Sequence, residues 1–458
     1  MKALMIAGDR SGAGKTSISL GIASLLADHH RVQTFKVGMD YIDPSYLAAA
    51  SGRPCRNLDG FIMQGSEIRT IVDHAAQDAD VLLVEGVRGL YEGADALTDQ
   101  GSSAEIAKLL HIPVVLVVNA RSITRSAAAL VKGFMAFDPE IAICGVILNN
   151  VYGTTHREKA KRAIEHYCGI PVLGAIPPDE SMVLEMRHLG LVPYREGEMQ
   201  TAFRETVDAI RKTIGNHLAV EEILSCAGEY TPQDTEKSVL TPASDQDARI
   251  GVAFDEAFNF YYADLFDVLR GRGAEPVFFS PVHDRLPDAD GYILGGGYPE
   301  LYARELEANT AARNGIKEES ENRTPIYAEC GGLIYLTGGI HLSAGWRGAE
   351  KEVSFSFCGA IPGVTRMPSK RVVKYVEGFS CPESPLGEGS FRGHEFHYSD
   401  VRLGPNTRFC YRLTRGGGIE GQKDGVLVNN TLASYTHLSP VPSWRMFDHF
   451  VRKCRSPK

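Results

Sequence analysis

The chain has 458 residues, 43% of them hydrophobic, and a formal net charge of −9 at pH 7. This length is enough for two or three domains with well-buried cores. The negative charge leaves no overall basic field to attract a phosphate backbone, so nucleic acid is excluded as an expected partner.

Cysteine spacing and apolar runs indicate the compartment. The nine cysteines include no C-x-x-C pair, which argues against a disulfide framework and against a thiolate zinc site. No apolar run reaches the length that spans a bilayer, and the segment after Met1 lacks the regions of a signal peptide. We therefore expect a cytoplasmic protein without a membrane partner.

The first half of the chain alternates short apolar runs with helical stretches. This alternation predicts a parallel β-sheet flanked by helices, an α/β fold. The predicted strands are Ala3–Ala7, Val32–Val37, Val81–Val84, Pro113–Val118, Ile143–Leu148 and Val172–Ala175.

A glycine-rich loop follows the first predicted strand and leads into a predicted helix. It includes Gly12, Gly14, Lys15 and Thr16. Backbone N–H groups of such a loop form an anion-binding nest, to which Lys15 would add a point charge and Thr16 a magnesium ligand. The alternative is a plain glycine turn, but the strand and helix on either side favour a nucleotide site.

The spacing of this loop departs from the strict P-loop pattern. Five residues rather than four separate Gly8 from Gly14, and Asp9 stands where the first glycine belongs. The variant is similar to the loop of dethiobiotin-synthetase-like amidoligases. Partitioning ATPases of the same fold usually carry a signature lysine where this chain has Arg10.

Carboxylates follow two of the predicted strands. Asp40 and Asp43 come just after the second strand, and Glu85 ends the strand that begins at Val81. Ligands of open α/β sheets gather at such strand ends, and magnesium prefers oxygen ligands. Each acid alone is more typical of a helix cap or a solvated loop, but together with the phosphate loop they predict binding of magnesium or substrate.

A polar, acidic stretch at 219–247 predicts a linker between two domains at 1–218 and 248–458. Three further apolar strands that end in glycine-rich turns, beginning at Arg249, Gly291 and Pro325, predict a second α/β domain. The last strand leads into the turn Glu329–Gly332, the kind of turn that presents a nucleophile such as Cys330.

The Gly295–Gly297 turn is a candidate oxyanion hole for chemistry at Cys330. The alternative for Cys330 is a buried structural thiol. A metal site at His394 and His397 is not favoured, because two histidines three residues apart without other ligands are weak evidence.

Eight segments across the chain resemble the cobyrinate and Ni-sirohydrochlorin a,c-diamide synthase family. They lie at 11–16, 35–44, 52–59, 84–93, 187–193, 257–262, 295–301 and 393–399. The resemblance implies a dethiobiotin-synthetase-like ATP domain followed by a class I glutamine-amidotransferase-like domain. Met39 departs from the proline that family members have at this position.

The resemblance also implies roles for individual residues. In the second half, His437 would be the proton-transfer partner of Cys330, although Ser439 stands where class I enzymes commonly place an orienting glutamate. In the first half, the implied set comprises Lys15, Thr16 and Lys36 for ATP phosphates and Mg²⁺, Asp43 and Glu85 near the metal, Asp40, Tyr41, Ile42 and Glu92 for substrate, and Asn149 for adenine. The adjacent Asn150 leaves the adenine position open.

The implied activity is ATP- and L-glutamine-dependent amidation of the a and c acetates of a tetrapyrrole through an acyl phosphate. The segment 118–126 resembles archaeal members, which favours Ni-sirohydrochlorin, in coenzyme F430 synthesis, with cobyrinate, in cobalamin synthesis, close behind. Two alternatives are a partitioning or metallocentre-delivery ATPase and a dethiobiotin-like carboxylase. A homodimer is the default expectation.

Overall fold

The computed structural model describes residues 1–182, 198–233, 238–346 and 350–456. These residues divide into two compact units, one formed by 1–182 with 198–233 and the other by 238–346 with 350–456. The segment 187–193, which carries part of the family resemblance, lies outside the described residues.

The first unit contains an eight-stranded sheet. Its strands are β1 (Lys2–Gly8), β2 (Val32–Val37), β3 (Arg56–Leu58), β4 (Val81–Glu85), β5 (Val114–Asn119), β6 (Ile143–Asn149), β7 (Val172–Ala175) and β8 (Gly228–Glu229). The order is β3-β2-β4-β1-β5-β6-β7, all parallel, and β8 pairs antiparallel with β1. Helices flank this sheet, so its strands are nearly continuous apolar runs.

The helices of the first unit connect successive parallel strands or follow the last of them. They are α1 (Lys15–Leu26), α2 (Ile42–Ser51), α3 (Gly65–Ala76), α4 (Ser103–Leu110), α5 (Arg125–Phe137), α6 (Gly153–Cys168), α7 (Glu198–His217) and α8 (Val220–Ser225), with a 3₁₀ turn at Glu180–Met182. Parallel strands need such crossovers, which place the loops after the strands at one edge of the sheet.

All six predicted strands of the first half are confirmed to within one residue at either end. The strands β3 and β8 were not predicted, because their three and two residues are too few for a periodic signal.

The domain bounds at 1–218 and 248–458 stay a prediction. Within the segment 219–247 the structure shows α8 and β8, and β8 extends the sheet of the first unit.

The second unit has sixteen strands in three sheets. They are β9 (Ala248–Ala253), β10 (Phe258–Phe260), β11 (Ala274–Phe279), β12 (Gly291–Leu294), β13 (Gly296–Gly297), β14 (Ile326–Glu329), β15 (Gly339–Leu342), β16 (Val353–Ser356), β17 (Gly363–Met367), β18 (Val372–Ser380), β19 (Gly389–His397), β20 (Asp400–Leu403), β21 (Phe409–Arg415), β22 (Lys423–Val428), β23 (Thr431–Ser434) and β24 (His437–Leu438). Its helices are α9 (Ala263–Gly271), α10 (Ala303–Ala308), α11 (Thr310–Glu321), α12 (Gly331–Leu336) and α13 (Trp444–Arg455), with a 3₁₀ turn at Pro299–Leu301.

The main sheet of the second unit has the order β11-β9-β12-β14-β23-β22-β21-β18-β19-β24. Its first five strands are parallel and the remaining pairs are antiparallel. The order of a four-stranded sheet is β16-β15-β17-β20, and β10 pairs with β13. The parallel part was expected, whereas the antiparallel extension was not.

A disulfide joins Cys381 to Cys410, with a Cα–Cα distance of 5.0 Å, a pairing that the sequence analysis did not predict. Among the described residues, no helix combines the length and the apolar character needed to cross a bilayer.

The packing of α7 on α1 generates a stability prediction. A Cβ at Gly21 would lie 2.3 Å from Ile214 Cγ1, whereas a Cβ at Gly133 of α5 would meet nothing within 4 Å. Gly21→Ala should therefore overpack this interface and lower the free energy of unfolding of the first unit by about 1–3 kcal/mol. Gly133→Ala is the matched control and should raise it by about 0.5–1 kcal/mol. Urea unfolding followed by circular dichroism measures both, and an unchanged or raised stability in Gly21→Ala would contradict this packing.

Candidate functional site

The phosphate loop follows β1 and adopts a conformation that requires glycine. Gly12 and Gly14 have φ angles of 75° and 96°, in the left-handed region. A Cβ at Gly14 would lie 2.3 Å from Asn149 Nδ2. The Asn149 amide in turn donates to the Ala13 carbonyl at 2.9 Å. The end of β6 thus fixes the loop from one side.

A cavity of about 380 Å³ opens between the phosphate loop and the loops that follow β2 and β4. It brings together seven predicted site residues from two segments of the chain. They are Gly12, Gly14, Lys15, Thr16, Lys36, Asp40 and Asp43. The other lining residues are Ser11, Ser17, Val37, Gly38, Met39, Val87 and Arg88.

Beside this cavity, a buried ammonium group bridges two carboxylates. The parallel register of β2 and β4 places Lys36 opposite Glu85, and Asp43 lies in the first turn of α2. Lys36 Nζ is 2.6 Å from both Asp43 Oδ2 and Glu85 Oε1. Thr16 Oγ1 donates to Glu85 Oε1 at 2.8 Å and lies 3.3 Å from Asp43 Oδ2. We call Thr16, Lys36, Asp43 and Glu85 the buried cluster.

Charge coupling outweighs desolvation for Lys36 and Asp43, whereas burial raises the pKa of Glu85 above its ordinary value. Burial lowers the pKa of Lys36, but the Glu85 and Asp43 carboxylates raise it above its ordinary value. Burial likewise raises the pKa of Asp43, but Lys36 brings it below its ordinary value. Asp40, by contrast, has its pKa raised to about 7 by burial and by the neighbouring Asp43 carboxylate. The ammonium and the Asp43 carboxylate are therefore both ionised.

The residues of the buried cluster fit a magnesium ion held jointly with a nucleotide. Glu85 Oε2 is buried and has no hydrogen-bond partner among the described residues. Within those same ranges, no three His, Cys, Asp or Glu side chains form a metal-binding group. Thr16, Asp43 and Glu85 alone do not complete a protein cage, which suits a metal whose remaining ligands are phosphate and water.

Of the residues predicted to contact substrate, Asp40 lines the cavity, whereas Tyr41, Ile42 and Glu92 are not among its lining residues. Asp40 Oδ1 accepts from the Ile42 amide at 2.7 Å, so Asp40 and Ile42 share the start of α2, and Tyr41 lies between them at the N-cap. Glu92 accepts from the Gly89 amide at 3.1 Å. The substrate roles of these residues stay a prediction.

Lys15 and the loop after β2 are held by groups that the sequence analysis did not single out. Lys15 Nζ donates to the Arg88 carbonyl, and burial, followed by Lys36, lowers the pKa of Lys15. Asn57 Nδ2 donates to the carbonyls of Gly38 at 2.9 Å and Asp40 at 2.8 Å. A polar residue within the buried run of β3 was the available signal for Asn57.

In the second unit, Cys330 stands on a strained turn between β14 and α12. Its φ of 45° is rare for a residue with a side chain, and its amide donates to the Ser434 carbonyl at 2.7 Å. The thiol lies 3.6 Å from the Phe396 carbonyl oxygen. Side chains on such turns project from the end of the sheet, where a substrate can reach them.

His437 begins β24, shortly after β23, the parallel neighbour of the strand that leads to Cys330. β14 and β23 pair in register, with Glu329 opposite Ser434, and His437 follows three residues later. The Cys330 side chain lies close enough to the His437 ring to raise the pKa of that ring. His437 Nδ1 also lies 3.3 Å from Glu329 Oε2. The structure thus brings the two predicted residues together and adds Glu329, which the sequence analysis missed.

Three histidines close to Cys330 differ in charge. Burial lowers the pKa of His437, but hydrogen bonds to Cys330 and Glu329 outweigh it and raise the pKa to about 10. Burial and His437 hold the pKa of His394 well below its ordinary value, and burial lowers the pKa of His397 to about 4. At neutral pH, His437 is an imidazolium and the other two rings are neutral.

Not every backbone amide of the Gly295–Gly297 turn, the predicted oxyanion hole, is available to a substrate. The Gly295 amide donates to the Tyr261 hydroxyl at 2.6 Å, so it is already engaged. A Cβ at Gly331 would lie 2.9 Å from the Gly297 nitrogen. The Gly297 backbone thus approaches the residue that follows Cys330.

Comparisons with known proteins cover both units. Residues 4–192 match the family described as "CobQ/CobB/MinD/ParA nucleotide binding domain". Residues 249–441 match the family described as "CobB/CobQ-like glutamine amidotransferase domain". The phosphate loop and cavity lie in the first match, and Cys330, Glu329 and His437 lie in the second.

Two relatives that match nearly the whole of this chain have the same name. "Cobyrinate a,c-diamide synthase" of Methanosarcina acetivorans is 49% identical over 96% of this chain and 92% of the relative. "Cobyrinate a,c-diamide synthase" of Methanosarcina barkeri is 47% identical over 99% of this chain and 96% of the relative. A solved structure titled "Crystal structure of glutamine amidotransferase" is 19% identical over 45% of this chain and 98% of that chain, with a TM-score of 0.30.

Proposed function

Because this chain belongs to the cobyrinate a,c-diamide synthase family, we propose that it converts the a and c carboxylates of cobyrinate into carboxamides, using ATP and L-glutamine. The chain is a glutamine-dependent carbon–nitrogen ligase in this account. The strongest support is the pairing of Cys330 with His437 in a chain that also carries a phosphate loop and its buried cluster.

The ligase half is proposed to activate the acid. A carboxylate resists attack because its oxygen is a poor leaving group, so the γ-phosphate of ATP is transferred to it and an acyl phosphate forms. Lys15 and Lys36 stabilise charge on the transferring phosphoryl group, since both ammonium groups line the same cavity. Ammonia then displaces phosphate and leaves the carboxamide.

Thr16, Asp43 and Glu85 are the residues proposed to hold Mg²⁺ with the nucleotide. Bound there, the ion would neutralise phosphate charge. The Asp43 and Glu85 carboxylates each lie 2.6 Å from Lys36 Nζ. They therefore hold the ammonium in place before nucleotide binds. This arrangement lowers the reorganisation that phosphoryl transfer requires.

The glutaminase half is proposed to release the ammonia. The Cys330 thiolate attacks the side-chain amide carbon of glutamine to form a thioester, and His437, an imidazolium at neutral pH, gives a proton to the departing nitrogen, which leaves as ammonia. The amides of Gly297 and Gly331 are the proposed donors to the oxyanion, because the two backbones approach each other beside Cys330. Water then frees glutamate from the sulfur.

The macrocycle is proposed to bind at the Asp40 side of the cavity, with Tyr41, Ile42 and Glu92 around it. Asp40 lines the cavity, and its carboxylate accepts hydrogen bonds from two backbone amides of α2. Asn149, at the end of β6 against the phosphate loop, is the proposed adenine-side residue. Ni-sirohydrochlorin is a second proposed substrate, since it offers the same acetate carboxylates.

Two variants should separate the half-reactions. Cys330→Ala should abolish glutamate release from glutamine but keep ATP-dependent amidation with ammonium. Lys15→Ala should lower amidation with either nitrogen source by roughly 10²–10³-fold, because a charge is lost at the phosphoryl group, and should keep glutaminase activity. Glutamate release, ADP formation and product mass measure these outcomes. A Cys330→Ala protein that still used glutamine, or a wild-type protein with neither activity, would exclude this mechanism.

A separate experiment tests whether cobyrinate or Ni-sirohydrochlorin is the substrate. Wild-type protein with ATP, Mg²⁺ and glutamine is offered cobyrinate or Ni-sirohydrochlorin separately, and the products are followed by mass spectrometry. We expect two successive replacements of hydroxyl by amino groups on cobyrinate, since the relatives are named for that substrate. Amidation of Ni-sirohydrochlorin alone would reverse the order of the two substrates, and amidation of neither would refute both.

A further inference from the structure

The acid that orients the histidine of a nucleophile–histidine pair normally determines its tautomer and charge. Here the position two residues after His437 is Ser439, whose hydroxyl is buried without a hydrogen-bond partner among the described residues. Ser439 therefore does not orient the ring. The glutaminase half needs an acid from elsewhere, or has none.

We propose that Glu329, the residue immediately before the nucleophile, is the positioning residue for His437. Its Oε2 lies 3.3 Å from His437 Nδ1, and both side chains are buried. The orienting carboxylate therefore comes from the strand that carries Cys330 rather than from the segment that carries His437. This inference rests on the proposed glutaminase activity and names the third member of that site.

The Glu329 carboxylate is itself held in place by two further contacts. Its Oε1 accepts from the Tyr327 hydroxyl at 2.5 Å and from the Leu438 amide at 2.9 Å. Tyr327 lies on the same face of β14, because residues two apart on a strand share a face. The Leu438 contact ties the carboxylate to the residue next to His437. Both oxygens of Glu329 thus have partners, one of which is the ring to be oriented.

The backbone before His437 has a separate anchor. The buried Asp424 carboxylate accepts from the Tyr435 amide at 3.0 Å, and from the Thr436 amide and hydroxyl at 2.9 and 2.6 Å. Asp424 thus fixes the approach of the chain, which leaves Glu329 to act on the ring. A loss of the Glu329 charge should therefore change the state of the imidazole rather than unfold this segment.

Other charged or titratable groups near His437 do not supply the negative charge. Cys330 is the group to be activated, and His394 stacks on the ring with centroids 4.9 Å apart. His394 and His397 are neutral at neutral pH, because burial depresses both pKa values. Glu329 supplies a carboxylate at ion-pair distance from the His437 ring.

Glu329→Gln is the main test, because it keeps the shape and removes the charge. We expect glutaminase kcat/KM to fall by roughly 10²–10⁴-fold, the scale on which an orienting acid acts. The basic limb of the glutaminase pH profile should move to lower pH by about 1–3 units, since removal of an adjacent negative charge lowers the pKa of His437. Ammonium-dependent amidation should stay unchanged.

Two variants separate charge from shape. Glu329→Asp keeps the charge and should leave the basic limb near its wild-type position even if kcat falls. Glu319→Gln, which removes a half-buried carboxylate that accepts a hydroxyl hydrogen bond elsewhere in the same unit, should change neither quantity. Equal losses of kcat in Glu329→Gln and Glu329→Asp with no shift of the basic limb would overturn the proposal in favour of a packing role.

A measurement on the wild-type protein tests the proposal even if a Glu329 variant fails to fold. Histidine labelled with ¹³C at Cε1 is followed by NMR as pH rises, and the His437 resonance is assigned from His437→Gln. We expect His437 to stay protonated through about pH 8, and a midpoint near the ordinary value of 6.5 would overturn the proposal. The titration does not depend on turnover, so it stays decisive even if wild-type protein releases no glutamate from glutamine.

Discussion

Neighbouring parallel strands that end at the same edge of a sheet place the reactive groups in both units. In the first unit, the register of β2 and β4 places Lys36 opposite Glu85. In the second unit, the register of β14 and β23 places Glu329 opposite Ser434, from which the chain continues to His437. Residues far apart in sequence become neighbours because the two strands stop together. A shift of one residue in either pairing would move these side chains to the opposite face.

Burial of charge explains why these arrangements are so closely specified. A buried charge without a partner is strongly destabilising, and desolvation can exceed the Coulomb gain even of a pair. Lys36 is therefore held by two carboxylates and His437 by one, each at hydrogen-bonding or ion-pair distance. The same contacts that offset desolvation also hold each cation before substrate arrives. Preorganised charge of this kind usually contributes most to stabilising the transition state of phosphoryl or acyl transfer.

The features that have a strong local signal in the sequence were predicted from it. Apolar runs located the strands of the first sheet, and the glycine spacing located a loop whose Gly12, Gly14, Lys15 and Thr16 line one cavity with Lys36 and Asp43. The sequence did not predict the antiparallel extension from β22 to β24, in which the pairings of β18 with β21 and of β19 with β24 are non-local. Glu329 was missed because an orienting acid was expected downstream of His437. A carboxylate at the end of an apolar strand, two residues after Tyr327, was the only local sign of it.

The central claim is that the acid activated at the Lys15 loop is the one that receives nitrogen released at Cys330. Oxygen tracing tests it most directly: cobyrinate labelled with ¹⁸O in its carboxylates is amidated with ATP and glutamine, and the phosphate formed is analysed by mass. An acyl phosphate transfers one carboxylate oxygen to phosphate for each amide made, so we predict one ¹⁸O atom in phosphate per carboxamide. Amide formation with unlabelled phosphate would contradict the account.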